Sequence, residues 1–228
     1  MQLVIGNKNY SSWSLRAWLY LRESGVVFEE IRIPLYGDDS AERIARFTPA
    51  GRVPVLIDGG VVVWDSLAII EHVRQTASSA VDWPLGPAAR ARALSIVAEM
   101  HSGFLALRQE LPQNLRARIP LGLDDLSEPA RRQVERVFEI WGECRRDHGG
   151  RGEWLFGGFS IADVLYAPVA LRFVTYGIPL PADARPFVDA VVGLGSVRDW
   201  VADAEIEPET LDFIDHRLPA DRTPLSFG

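Results

Sequence analysis

Tyr10, Ser11, Ser12 and Ser14 crowd one short stretch, NKNYSSWSLRAWLYL (residues 7–21), which follows an apolar run, QLVIG, and opens an apolar helical pattern. Ser11 and Ser14 keep the spacing of a C-x-x-C redox turn but offer oxygen in place of sulfur. Hydroxyls at the start of a helix can do two things. They can cap it, accepting from backbone N–H groups that have no helical partner. They can also donate to an anion, which the free N–H groups and partial positive charge of a helix N-terminus already favour. A serine nucleophile needs a nearby base. None of His72, His101, His148 and His216 is close in sequence, so Ser11 is expected to donate a hydrogen bond rather than attack.

A second group lies in TPAGRVPVLIDGGVVVWDSLAII, residues 48–70. Pro54 stands immediately before a strand, where it has no donor to give to the ladder. Base rates favour a trans bond there, whereas a cis bond would expose the backbone N–H and C=O of Val53 to a peptide-like ligand. Asp65 and Ser66 end a strand and open a helix, which makes a good N-cap and a second place for an anion. GFSIA, residues 158–162, approaches the nucleophile motif G-x-S-x-G, but Ala162 replaces its last glycine. Ser160 and Asp163 instead form an S-x-x-D cap at the head of an apolar helix. His101, Leu105 and Arg108 are spaced by three or four residues and can share a helix face, either as core or as part of a pocket suited to an anionic co-substrate. Trp13, Trp18 and Tyr166 are core by default, and Cys144 is an incidental thiol.

The elements that must position these residues alternate at first. QLVIG, FEEIRIPL, PVLID and VVVWD read as strands; SLRAWLYLRES, SAERIARF and SLAIIEHVRQ read as helices. That order describes a compact α/β unit, with Asp58, Gly59 and Gly60 turning a hairpin. TASSAVDWPLGPAA then breaks the pattern and strand signals stop. A helical pattern runs from about residue 87 to 118, with Pro112 expected to kink or break it. Further helices are expected near 127–147, 160–175, 184–192 and 196–204. The domains are therefore read as 1–78, an α/β domain, and 86–212, an all-helical domain, followed by a C-terminal tail at 213–228 whose end, LPADRTPLSFG, is expected to lie loosely on the surface.

Among 228 residues, 47% are apolar, enough for a large core. No apolar stretch approaches the roughly 18 residues of a membrane-spanning helix, and the first residues lack the pattern of a secretory signal. A soluble cytoplasmic protein is the expectation. The net charge of −7 argues against nonspecific nucleic-acid binding. The single cysteine excludes an internal disulfide, a C-x-x-C pair and a cysteine-rich zinc site.

A turn serine after the first strand, then TPAGRVPVL, DSLAII and FSIADVLYAP, in this order and spacing over nearly the whole chain, resembles the cytosolic glutathione transferases. The resemblance implies a thioredoxin-like first domain that holds glutathione and a helical domain that shapes the site for a small electrophile. Ser11 falls where the family's activating hydroxyl or thiol sits, with Ser12 and Tyr10 as alternates. Val53 matches the residue before a cis-proline, Pro54, whose main chain pairs with the cysteinyl part of glutathione. Asp65 and Ser66 match the residues that hold the γ-glutamyl end, although many relatives carry a longer side chain where Asp65 stands. Arg52 is a candidate for a glutathione carboxylate, and Trp13, His101 and Arg108 for the electrophile pocket. The implied chemistry is conjugation of glutathione as co-substrate in detoxification, with no metal, by a cytoplasmic homodimer. Within that family the resemblance is to the bacterial serine type; SSWSLR also resembles the maleylacetoacetate isomerase branch, although no cysteine occupies this serine cluster. Glutathione-dependent isomerisation, peroxide reduction and a non-catalytic glutathione-binding scaffold are the alternatives.

Overall fold

Four short strands form, three of them on runs of β-branched and leucine residues: β1 (Gln2–Ile5), β2 (Glu29–Arg32), β3 (Val55–Asp58) and β4 (Val61–Trp64). A computed structural model describes residues 1–77, 81–150 and 152–215. The strands make one mixed sheet in the order β2-β1-β3-β4. β1 and β2 run parallel, joined through α1 (Ser12–Glu23), while β1/β3 and β3/β4 are antiparallel. Gly59 takes φ 58 in the β3–β4 turn, a backbone setting that glycine adopts without steric penalty.

Period-two alternation sorts the sheet's side chains onto two faces. On one face Val4, Ile33 and Val55 pack with Ile44 of α2 (Ser40–Ala45), flanked by Ile31, Leu35 and Phe47. Leu3, Ile5 and Leu56 point the other way and are fully buried. There α1 and α3 (Ser66–Thr76) pack against β1, β3 and each other. This is the thioredoxin-like arrangement expected, with a mostly helical remainder.

The remainder contains α4 (Pro87–Ser102), α5 (Leu105–Glu110), α6 (Glu128–His148), α7 (Ile161–Thr175) and α8 (Arg185–Gly193). Trp141 of α6 anchors its core, edge-on to Phe187 of α8 at 4.7 Å and to Tyr166 of α7 at 6.0 Å. The Tyr166 hydroxyl donates to the Ile96 carbonyl at 2.9 Å. At the head of α7, Asp163 accepts from Ser160 N at 2.8 Å, Ser160 Oγ at 2.7 Å and Leu155 N at 2.9 Å. Ser160 is therefore engaged in a cap, as the S-x-x-D spacing predicts.

The helical pattern of 87–118 breaks first at Gly103 and Phe104, and α5 then ends at Glu110, just before Pro112, where a break is expected. Phe104 is left-handed at φ 58, and a Cβ on Gly103 would fall 2.6 Å from the Glu99 carbonyl oxygen. At the start of the tail, Asp212–Asp215 forms a short α10. Asp215 accepts there from Asn114 Nδ2 at 2.7 Å. His216 and LPADRTPLSFG lie outside the described residues.

The chain falls into two units. One holds Met1–Asp82 together with Gly195–Glu209, and so includes α9 (Gly195–Glu205). The other holds Trp83–Leu194 and the described residues from Thr210 onward. A helix of ordinary amphipathic pattern gives no hint in sequence of which core it joins, so the sequence alone groups 195–209 with the helical domain. Among the described residues no helix is long and apolar enough to cross a membrane.

Candidate functional site

Strand register gathers the candidate residues of the first unit at one end of the sheet. Val4 pairs with Val55, and Val55 with Trp64. Antiparallel pairing thus sets the exit of β1 beside the entry of β3, and the entry of β3 beside the exit of β4. Three loops meet there: Gly6–Ser11 leading into α1, Arg52–Pro54 leading into β3, and Asp65–Ser66 leading into α3. Two helix N-termini open at the same end. Their unpaired amides give that end a positive bias suited to an anionic ligand.

The first loop presents the hydroxyls. Ser11 is the N-cap of α1: its Oγ accepts from Ser14 N at 3.3 Å and donates to Ser14 Oγ at 2.8 Å. Ser14 Oγ also accepts from Gly6 N at 3.1 Å. Tyr10, Ser11 and Ser12 are all buried. A Cβ on Gly6 would come within 2.5 Å of Leu35 Cδ1, so a side chain there requires Leu35 to move. Trp13 is half-buried, with the Arg16 guanidinium 4.5 Å above its ring, and Arg16 Nη1 donates to the Ser12 carbonyl at 3.1 Å. Trp18 is core, as expected of it, 5.1 Å from Trp200.

In the second loop the Val53–Pro54 peptide is cis. Base rates alone favour trans, so this is where the resemblance outperforms them. Arg52 is exposed. In the third loop Asp65 sits at φ 74, a sparsely populated setting for a residue with a side chain, and Oδ1 caps Leu67 N at 2.9 Å. Ser66 is 1% exposed and its Oγ has no hydrogen-bond partner. A buried hydroxyl without a partner is costly, so such a group at a helix N-terminus points to a ligand.

The residues assigned to an electrophile pocket in the helical unit do not share one helix face. His101 closes α4, half-buried, whereas Arg108 lies in α5 beyond the Gly103–Phe104 break. Arg108 donates to the Met100 carbonyl, and burial pushes its guanidinium below the usual arginine range. The same unit contains two residues that sequence reasoning missed. Arg172 is buried on α7, where Nε donates to the Leu111 carbonyl at 2.9 Å and Nη1 to the Pro168 carbonyl at 3.3 Å. Desolvation, followed by repulsion from Arg108, pushes it down to about 9. Gln113 is 2% exposed, and neither atom of its amide has a partner. An arginine inside the otherwise apolar VLYAPVALRFV was the available signal for the first; PQN offers none for the second. Cys144 is buried and its thiol is pushed up by burial, consistent with an inert role. No group of three or more described His, Cys, Asp or Glu residues could hold a metal ion.

The sheet order, the cis-proline loop and the hydroxyl-bearing helix start define a thioredoxin-like domain. Residues 10–76 match the family "Glutathione S-transferase, N-terminal domain". It is 31% identical over 96 residues to a probable maleylacetoacetate isomerase of Caenorhabditis elegans, a match that covers 42% of this chain and 44% of the relative. It is 27% identical to glutathione S-transferase 1 of Dianthus caryophyllus, over 77% of this chain and 78% of that one. The fold is similar to a glutathione transferase homolog from Burkholderia gl BGR1, solved with bound glutathione. That likeness has a TM-score of 0.67 at 24% identity and covers 89% of this chain and 97% of the other.

Proposed function

We propose that this chain is a glutathione transferase that binds glutathione at the loop end of its sheet and activates the thiol, as thiolate, for attack on a small electrophile. The observation that carries the reading is the register, which brings the Ser11 turn, the cis Val53–Pro54 peptide and the unpartnered Ser66 hydroxyl to one end of one sheet. In this reading Val53 pairs through its main chain with the cysteinyl part of glutathione. Asp65 and Ser66 hold the γ-glutamyl end, and exposed Arg52 meets a terminal carboxylate. The names of the relatives, and the glutathione bound in the Burkholderia structure, support it. A cytosolic homodimer belongs to the same reading, for which exposed Val61, Val62 and Trp64 on edge strand β4 offer an apolar surface.

A free thiol with a pKa near 8.5 is only about 3% thiolate at pH 7. A hydrogen bond to a charged group is worth roughly 1.5–3 kcal/mol and a pKa unit about 1.36, so one hydroxyl lowers the thiol pKa by about one to two units. Ser11 spends its proton on Ser14 Oγ in the free protein. On binding, rotation of the Ser11 hydroxyl turns its proton from Ser14 Oγ to the thiolate. Gly6 N still donates to Ser14.

A second reading is favoured by Arg108, Arg172 and the unpaired amide of Gln113 in the helical unit. Desolvated cations suit a co-substrate carboxylate, as glutathione-dependent isomerisation of a conjugated diacid requires. The C. elegans relative carries a name of that type.

The test is a pH titration of the ultraviolet thiolate absorbance of bound glutathione on wild type, Ser11→Ala and Ser12→Ala. A lowered thiol pKa that returns towards the free value in Ser11→Ala is the expected result. Loss in Ser12→Ala alone moves the role to Ser12, and loss in neither moves it to Tyr10. Binding with an unshifted pKa in wild type overturns catalysis in favour of a scaffold. Product analysis with an organic hydroperoxide and with a cis-configured conjugated diacid separates peroxide reduction and isomerisation from conjugation.

A further inference from the structure

Within the first unit, the loop that delivers the hydroxyls is gripped by a segment nearly 200 residues away in sequence. Glu207 Oε1 accepts from Lys8 N at 2.7 Å and Glu207 Oε2 from Asn9 N at 3.0 Å. Trp200 Nε1 donates to the Lys8 carbonyl at 2.9 Å. Lys8 Nζ bridges Asp203 at 2.6 Å and Glu30 at 2.9 Å, and lies 5.2 Å from the ring centroids of both Trp18 and Trp200. Three consecutive backbone polar groups of Lys8 and Asn9 are therefore fixed from α9 and the residues that follow it.

The grip passes directly to the reacting group. The Asn7 carbonyl accepts from Ser11 N at 2.8 Å and Tyr10 N at 3.2 Å, which closes the turn whose middle is Lys8–Asn9. Displacing Lys8 or Asn9 shifts the frame on which Ser11 caps α1. Glu207 is itself held. Its side chain is 6% exposed, and Arg32 donates to it at 3.4 Å while making two 2.9 Å bonds to Glu209. The pairing raises Arg32 and holds Glu209 below the usual carboxylate range. A buried carboxylate is costly unless it is paired and hydrogen-bonded. This one meets both conditions by using each oxygen on a different amide, a geometry that specifies position.

We propose that Glu207 is a positioning residue for thiol activation: with Trp200 it clamps the Lys8–Asn9 backbone so that the Ser11 hydroxyl sits where the glutathione sulfur arrives. The inference rests on the function proposed above. It predicts a division of effects, because the residues assigned to the peptide part of glutathione belong to the other two loops.

The experiment uses the full chain as Glu207→Gln, which keeps one acceptor, and as Trp200→Phe, which keeps the ring but removes the N–H. Steady-state rates, the bound-thiol titration and amide exchange at Lys8 and Asn9 are measured on each. A misplacement of about 1 Å can cost on the order of 10²-fold, so kcat is expected to fall by about tenfold or more while the KM for glutathione stays near wild type. The bound-thiol pKa moves towards the free value, and both amides exchange faster. Two soluble variants with lower thermal stability but wild-type kcat and thiol pKa would overturn the proposal, leaving Glu207 a purely structural tie. A wild type that never lowers the thiol pKa instead overturns the proposed function. If Glu207→Gln does not fold, Trp200→Phe decides by the same criteria.

Discussion

Replacing Ser66 with alanine is expected to move stability and glutathione affinity in opposite directions. In the free protein the Ser66 hydroxyl is 1% exposed and unpartnered, at the first residue of α3. A buried polar group left unsatisfied costs roughly 1–3 kcal/mol, and its removal without repacking recovers part of that. The melting temperature of free Ser66→Ala should therefore equal or exceed that of wild type by a few degrees, at about 2–8 °C per kcal/mol for domains of these sizes. Affinity goes the other way. A hydrogen bond to a charged ligand group contributes about 1.5–3 kcal/mol, so the dissociation constant should rise by roughly 10- to 150-fold. Calorimetric titration with glutathione and scanning calorimetry with and without it measure both arms. The thermal stabilisation given by a fixed glutathione concentration should shrink in proportion to the lost affinity. A free Ser66→Ala protein less stable than wild type, with unchanged glutathione affinity, would refute the reasoning, because the hydroxyl would then be serving the fold.

Three further outcomes are expected. Ser14→Ala removes the acceptor of Gly6 N and destabilises the protein by about 1–3 kcal/mol in denaturant unfolding, yet it leaves the Ser11 proton available, so the bound-thiol pKa should rise far less than in Ser11→Ala. Burial pushes Asp163 up to about 6, above its unfolded value near 3.9, so the native state binds the extra proton between these limits. Its contribution is fully present below about pH 4 and lost as pH rises through about 6, on the order of 3 kcal/mol; Asp163→Asn should flatten that part of the stability profile. Arg172→Gln should depress turnover of an anionic co-substrate by about tenfold or more relative to a neutral one, since it removes a charge-assisted contact; equal losses with both would remove Arg172 from substrate recognition.

Local rules carried much of the fold into the sequence. The apolar runs LVI and VVV, the Asp58–Gly60 turn, and the serine and aspartate caps each act over a few residues, and the corresponding elements occur within one or two residues of their expected limits. The loop end of the sheet was legible for the same reason, since Ser11, Pro54 and Ser66 all stand at element boundaries. What failed depended on contacts far apart in sequence or on single backbone angles. The left-handed Phe104 ends a helix whose periodicity continues past it, and so separates His101 from Arg108. Likewise, nothing in SVRDWVADAEIEPE announces that Trp200 and Glu207 bind the backbone of Lys8 and Asn9. Gln113 becomes conspicuous only once burial removes its partners.

The two serines that matter most in the proposed site differ in how their hydroxyls are held, and the difference follows from what each must do. Ser66 has a hydroxyl that nothing in the free protein satisfies, so its hydrogen bond to a ligand is gained in full and contributes to affinity. Ser11 has a hydroxyl already bonded to Ser14, so donating to sulfur exchanges one hydrogen bond for another. That exchange is unfavourable for a neutral thiol, a weak acceptor, and favourable for a thiolate, because bonds to charged acceptors are roughly twice as strong. An occupied hydroxyl thus discriminates between the protonation states of the ligand more sharply than a free one. The same Ser11–Ser14 bond that caps α1 in the free protein sets the threshold that only the ionised sulfur crosses.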